Sequence, residues 1–166
     1  MTLLEIIKYG NPVLNKVAEE IKNIDQDIEQ LAQAMVNTMH AAPGIGLAAP
    51  QVNRSLRLIT VDLTVGENEK DLMVLINPEI LSQEGEQYEE EACLSVPDVQ
   101  ERIIRPNRVL LQGVGLDGEE KRIEAEGLLA RVFCHEIDHI NGKLFIDHLS
   151  PLKRSLIKKK LKKISV

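Results

Sequence analysis

The sequence is poor in aromatic residues and in cysteine. Its 166 residues include two Phe, two Tyr, no Trp and two Cys. The core must therefore be filled by Ile, Leu, Val and Met. Two cysteines are too few for a disulfide framework, which favours a reduced, cytoplasmic chain whose cysteines bind metal or take part in chemistry.

Long hydrophobic runs and a signal-like N-terminus are also missing. No stretch of about 18 apolar residues occurs, so we expect no membrane span and no membrane partner. The first ten residues, MTLLEIIKYG, have only a short apolar stretch that contains Glu5, unlike a signal peptide. The length fits one domain, which we expect to cover residues 1–166.

The charge is unevenly distributed along the chain. The net charge is −6, yet seven basic and no acidic residues follow position 149, which leaves −13 for the preceding part. Ser150 as N-cap and Pro151 at the first helical position predict a basic C-terminal helix over about 150–164. Its apolar stripe is expected to consist of Leu152, Leu156, Ile157 and Leu161. Such a helix either presents a solvated face or binds a polyanionic partner.

The order of helical and strand-like segments predicts an α+β fold. We expect helices to begin at Asn11 and at Asp25, a buried helix over 128–141 ended by Asn141-Gly142, and strands over 55–63, 73–81, 108–116 and 121–127. The last two strands are predicted to form a hairpin. Small mixed or antiparallel sheets should pack around the central buried helix, with helices at both ends of the chain.

The central helix carries HEIDH at 135–139. His135 and His139, four residues apart, lie on one helix face and can bind the same metal ion, while Glu136 is turned about 100° away and can hold a water. Two satisfied histidines on a helix would be the simpler interpretation. The ionisable Glu136 and Asp138 in an apolar helix argue against it.

The third ligand decides the class of metal site. One protease group extends the motif to a third histidine, but Phe145 occupies that position here, and no glutamate follows Glu136. Asp147 and His148 remain as downstream candidates. Upstream, Cys93 in EEACLSVP adds a thiolate to the two imidazoles, a donor set suited to Fe(II), Zn, Co or Ni. A lone cysteine is more often a small buried residue, yet its shaped, acidic surroundings favour a ligand.

Three segments together resemble the peptide deformylase family. They are GIGLAAPQ (44–51), EACLS (91–95) and HEIDH (135–139), in the order and with the spacing typical of the family. NPVLNKVAEEI near the start, INPEI at 76–80 and GKLFIDHLS at 142–150 extend the resemblance over nearly the whole chain.

The resemblance implies a function and a set of site residues. The reaction is hydrolytic removal of the formyl group from the N-formyl-methionine of nascent peptides. Cys93, His135 and His139 are implied to bind the metal, natively Fe2+ with Zn2+, Ni2+ or Co2+ as substitutes. Glu136 is implied as general acid and base, and the Gln51 amide and Leu94 backbone N–H as donors to the formyl oxygen.

The methionine side chain needs an apolar pocket beside this site. Leu128 and Val132 lie two turns and one turn before His135 on the same helix face. We therefore expect them to line the methionine pocket together with Ile45. Substrate backbone is expected to pair as an added strand near Gly46.

Two positions depart from the family pattern. Ala92 stands where glycine is usual, and either strains the loop, if that position needs a positive φ, or only adds a methyl group near the substrate path. Cys134 replaces a common glutamine and is expected to be a core residue.

Two alternative functions stay open from the sequence. One is a metallopeptidase that cuts internal bonds, and the other is a non-catalytic metal-binding module associated with the ribosome. The resemblance also makes the basic C-terminal helix a candidate for ribosome docking, since some members of the family use a C-terminal helix in this way. We expect no sequence-specific contact with nucleic acid.

Overall fold

A computed structural model describes residues 1–164 of the chain, so Ser165 and Val166 of the predicted domain lie outside the described residues. Within that range the α-helices are α1 (Gln26–Ala41), α2 (Leu128–Ile140) and α3 (Pro151–Ile164). The strands are β1 (Gly46–Ala48), β2 (Leu58–Val61), β3 (Met73–Glu84), β4 (Gln87–Cys93), β5 (Val96–Arg105), β6 (Arg108–Val114) and β7 (Glu120–Glu126). None of the described helices has both the length and the apolar character needed to cross a membrane.

The strands form two antiparallel sheets, which confirms the predicted α+β class. The larger sheet has the order β1-β2-β3-β6-β7, and the smaller one is the β4–β5 hairpin. β1 is an edge strand and pairs Gly46 with Val61 of β2. The predicted β6–β7 hairpin is present, with Arg108 opposite Glu126.

Helix α1 supports the segment that leads into β1. Asp25 caps it as predicted, since its Oδ1 accepts a hydrogen bond from Ile28 N at 3.0 Å. Its buried stripe packs against β1 and β2 and consists of Ile28, Leu31, Met35 and Met39. Beyond its end, the backbone N–H of Gly44 donates to Met39 O at 2.7 Å, which turns the chain towards the site.

Helix α2 lies at the centre, as expected. Phe133 and Ile140 are fully buried against the larger sheet. Asn141 caps the helix, and Gly142 follows with φ +77°. A Cβ on Gly142 would lie 2.9 Å from the backbone of Asn15, so this turn requires glycine both for its conformation and for the close approach.

Helix α3 packs on β5 through part of its predicted stripe. Ile157 and Leu161 are buried with Val96, Val99 and Ile103 of β5. Ser150 caps the helix through a 3.3 Å hydrogen bond from Lys153 N to its Oγ. Leu152 and Leu156 of the same apolar stripe are 72% and 58% exposed, so only half of the stripe is buried.

One further element differs from expectation, and two others had not been assigned. The helix predicted from Asn11 is only one 3-10 turn, Pro12–Asn15. After this turn the chain is extended. Ala18 N donates to Ile140 O and Glu19 N donates to Ser55 O, so these backbone groups bond to distant partners and not to each other within a helix. The segment 44–51 holds β1 and a 3-10 turn (Ala49–Val52), and the β4–β5 hairpin was not predicted.

Candidate metal centre and active site

Helix α2 presents its two histidines to one point. The ring centroids of His135 and His139 lie 5.0 Å apart with the rings nearly perpendicular. Both are buried, with 8% and 1% of their surface exposed. Their spacing of one helical turn produces this arrangement, as the sequence indicated.

Strand β4 ends by placing a thiol beside them. Cys93, its last residue, has its Sγ 3.3 Å from His139 Nε2. The candidate ligand atoms of Cys93, His135 and His139 all lie within 4.8 Å of one another. One thiolate and two imidazoles fit a divalent metal ion of borderline softness, and three protein ligands leave a position open for substrate or water.

The electrostatics favour Cys93 as a thiolate. Burial alone would raise the pKa of the thiol, but attraction to His139 and hydrogen bonds with His135 and His139 lower it well below its usual range. A thiolate is the form that binds metal.

A buried carboxylate orients the first histidine. Glu91 Oε1 lies 2.9 Å from His135 Nδ1, while Arg105 and Arg131 donate to the same carboxylate at 2.7–3.0 Å. Burial would raise the pKa of Glu91, but hydrogen bonds from Arg105 and His135 lower it to about 2. Ionised Glu91 therefore favours the proton on Nδ1, which leaves the Nε2 lone pair of His135 available to a metal ion.

Sequence reasoning did not assign this role to Glu91. The signal was available in the strand period, since Glu91 lies two residues before Cys93 and on the same face of β4. However, β4 was not predicted from the sequence, so the two-residue repeat of a strand could not be used to place Glu91.

Glu136 is buried next to the histidine pair. Its Oε1 and His139 Nδ1 have no hydrogen-bond partner among residues 1–164. Burial raises the pKa of Glu136 and outweighs the opposing effect of His135 and His139. A buried carboxyl group with a free oxygen and a raised pKa is suited to exchanging a proton with a bound reactant.

Gln51 faces the same centre from the 3-10 turn after β1. Its Oε1 accepts a hydrogen bond from Ala48 N at 3.0 Å, which fixes the orientation of the amide. Its Nε2 then points towards Ser95 Oγ at 3.2 Å and Cys93 Sγ at 3.7 Å. Leu94 lies in the turn between β4 and β5.

One cavity of about 390 Å³ joins these groups. The expected apolar residues line it, namely Ile45, Gly46, Leu128 and Val132, and so do Gln51, Cys93, Leu94, His135 and Glu136. His139 is buried behind this lining, in the group of three metal-ligand candidates. A Cβ on Gly46 would lie 2.5 Å from Glu136 Oε2 and 3.0 Å from Val132 Cγ1, so any larger residue would require one of these side chains to shift.

The structure shows where the two departures from the family pattern lie. Ala92 lies within β4 and is not among the residues with positive φ, so it adds a methyl group to the cavity wall without backbone strain. Cys134 packs beside the core formed by α2 and the larger sheet, and burial raises its pKa to about 11.

The downstream ligand candidates serve other purposes. Asp147 Oδ2 accepts a hydrogen bond from Leu144 N at 2.9 Å and caps a 3-10 turn. His148 Nε2 lies 2.8 Å from Asp138 Oδ2. Neither belongs to the group of Cys93, His135 and His139.

Comparison with known proteins agrees with this geometry. The family model of polypeptide deformylase matches residues 3–155. The peptide deformylase of Thermodesulfovibrio yellowstonii is 52% identical over 98% of each chain. The crystal structure of a peptide deformylase from Legionella pneumophila superimposes with a TM-score of 0.93 at 41% identity, covering 99% of this chain and 96% of that one.

A further solved relative is the peptide deformylase of Ehrlichia chaffeensis in complex with actinonin. It has a TM-score of 0.90 at 37% identity and covers 98% of both chains. The family is metal-dependent, in keeping with the cluster of one cysteine and two histidines. The chain therefore belongs to the peptide deformylase family and removes the N-formyl group from nascent peptides, which decides against the metallopeptidase and the non-catalytic module.

Proposed function

We propose that Cys93, His135 and His139 bind one divalent metal ion and that Glu136 is the general acid and base of deformylation. The main support for this proposal is that one donor atom from each of the three residues lies within 4.8 Å of the others, and that Glu136 is buried beside them. The substrate is an N-formyl-methionyl peptide, and the products are formate and a peptide with a free amine.

The proposed metal is Fe2+, with Zn2+, Ni2+ or Co2+ as substitutes. A thiolate with two imidazoles suits all four ions, and the resemblance to the family favours iron. When bound, such an ion supplies Lewis-acid activation of water and of the formyl carbonyl.

Glu136 is proposed to move the proton of the reaction. It accepts a proton from the attacking water at its free Oε1 and returns it to the amine nitrogen as the C–N bond breaks. Its raised pKa supports the first step, because a carboxylate with a higher pKa is a stronger base towards the attacking water.

Gln51 Nε2 and the Leu94 backbone N–H are proposed to donate to the formyl oxygen, where negative charge develops. The bond from Ala48 N to Gln51 Oε1 holds the amide with its NH2 group towards the site before substrate arrives. Donors fixed in advance in this way commonly lower the barrier by about 3 kcal/mol each.

The apolar part of the cavity is proposed to receive the methionine side chain. Ile45, Leu128 and Val132 supply its wall. Because β1 is an edge strand, substrate backbone is proposed to add beside Gly46. Actinonin is expected to compete for this cavity.

Replacing the proposed sulfur ligand tests the metal site. Cys93→Ser should bind far less metal and release no formate from a formyl-methionyl peptide, whereas Cys134→Ser provides the matched control at the other cysteine. An unformylated peptide should not be cleaved by either protein. Unchanged metal content in Cys93→Ser would refute the ligand assignment.

Helix α3 is proposed to dock on the ribosome in the cytoplasm, where formylated nascent chains emerge. Its exposed lysines include Lys158, Lys159 and Lys163, while Ile157 and Leu161 fix the helix to the body. A polyanionic surface would attract these lysines in a salt-dependent way.

Charge replacement tests docking better than truncation, because truncation would expose the core that Ile157 and Leu161 cover. Lys158→Gln, Lys159→Gln and Lys163→Gln combined should weaken salt-sensitive ribosome binding and spare activity on a short formyl peptide. Unaltered binding would contradict the docking proposal.

A further inference from the structure

Three consecutive residues near the N-terminus hold both loops that carry the proposed oxyanion donors. The backbone N–H of Ile7 donates to Gln51 O at 2.8 Å. Lys8 Nζ donates to Leu94 O at 3.0 Å. The backbone N–H of Tyr9 donates to Ser95 O at 2.8 Å. One short segment thus contacts the Gln51 turn and the turn after Cys93.

These two turns belong to different sheets. Gln51 follows β1 of the larger sheet, and Leu94 connects the strands of the smaller one. The distance between the two donors is therefore set by contacts that cross between sheets. The hydrogen bond from Gln51 Nε2 to Ser95 Oγ is one such contact. The segment 7–9 links the two turns indirectly, with one hydrogen bond to the Gln51 turn and two to the turn after Cys93.

The segment is itself fixed at both ends. Leu4 N donates to Thr38 Oγ1 on α1 at 2.8 Å, and Leu4 and Ile6 pack against the core around α1. Tyr9 packs against the core between β5 and α3. Because both ends are held, the hydrogen bonds of residues 7–9 resist separation of the two turns.

We propose that residues 7–9 form a clamp that sets the separation of the Gln51 amide and the Leu94 backbone N–H, with Lys8 as a positioning residue. The inference rests on the proposed donor roles of Gln51 and Leu94. Oxyanion donors must lie within hydrogen-bond distance of the transition-state oxygen, so a small shift of either turn lowers turnover. Lys8 does not touch the substrate cavity and acts through Leu94.

Lys8 offers a test that leaves the fold intact. Its side chain is exposed, and an exposed contact of this kind adds little to stability. Lys8→Met should lower kcat on a formyl-methionyl peptide about tenfold, less than the 10²–10³-fold loss that follows removal of a donor. KM, metal content and Tm should stay near the parent values.

Two variants make the test specific. Lys8→Arg keeps a cationic donor and should restore most of kcat, and exposed Lys16→Met should behave as the parent. A normal kcat in Lys8→Met would overturn the clamp, and so would a loss of activity matched by an equal loss of metal.

Gln51→Leu separates this inference from the proposed function. It should lower kcat by about 10²–10³-fold if Gln51 is a donor. Normal turnover in Gln51→Leu would refute the donor role itself. Low turnover in Gln51→Leu together with normal turnover in Lys8→Met would refute only the clamp.

Discussion

His135 Nδ1 lies 2.9 Å from Glu91 Oε1, inside a group of two buried arginines that share the same carboxylate. This contact fixes the imidazole ring and leaves Nε2 to face Cys93 and His139. The proposed metal site therefore depends on a residue outside the three candidate ligands.

Glu91→Gln should weaken both metal binding and folding. We expect metal affinity to fall about 10–100-fold, as is common when such a partner is lost. The free energy of unfolding should fall by about 3 kcal/mol, because buried Arg131 would lose its counter-charge and Arg105 would be left with Asp138 alone. Metal titration and denaturant unfolding measure the two effects. The exposed neighbour Glu89 provides the control variant Glu89→Gln, and an equal loss there would contradict the assignment.

Glu136→Gln should bind metal like the parent protein but should not catalyse deformylation. The amide preserves the size of the side chain but cannot carry the proton, so formate release should fall by about 10²–10⁴-fold. Elemental analysis of the same preparation checks that metal content is unchanged. Turnover at the parent rate would remove Glu136 from its proposed role.

Gly46→Ala should disturb Glu136 through a steric clash. The added methyl group would lie 2.5 Å from Glu136 Oε2 and 3.0 Å from Val132 Cγ1, so one side chain must shift. We expect lower kcat/KM on a formyl-methionyl peptide. Gly113→Ala in β6, where a Cβ would lie 3.4 Å or more from its neighbours, is the matched control. Equal activity in the two variants would contradict close packing at Gly46.

Asp62 should contribute a pH-dependent part of stability. Burial would raise its pKa, but hydrogen bonds from Thr64, His40 and Gly66 lower it from 3.8 to about 2. Because the folded pKa is the lower one, the contribution is complete above pH 3.8 and is lost as the pH falls through about 2. Asp62→Asn should lower Tm at neutral pH by several degrees and flatten the decline of Tm between pH 4 and 2. Parallel Tm curves for variant and parent would contradict this role.

The sequence was most informative where local signals agree with tertiary packing. Helix α2 was predictable because its apolar residues continue until Asn141-Gly142, and this turn ends the helix in the structure. The same helix places His135 and His139 on one face, so that half of the site followed from local spacing. Cys93 could be named from its motif, but its position beside the histidines depends on the β4–β5 hairpin, which pairs residues up to 18 positions apart.

The unpredicted parts depend on partners that are distant in sequence. β4 contains Glu89, Glu90 and Glu91, and a buried glutamate is unexpected until Arg105 and Arg131 are known to pair with it. Residues after Asn15 are extended and not helical, because their backbone N–H groups donate to Ser55 and Ile140. In α3, β5 covers Ile157 and Leu161 and leaves Leu152 and Leu156 exposed, although all four fit a helical period.

X-ray absorption at the metal edge of the loaded protein tests the central claim most directly. We predict one sulfur and two imidazole nitrogens around the ion in the parent and in Cys134→Ser, and no sulfur around any metal that Cys93→Ser still binds. An ion without a sulfur neighbour in the parent protein, combined with normal formate release, would contradict the site built from Cys93, His135 and His139.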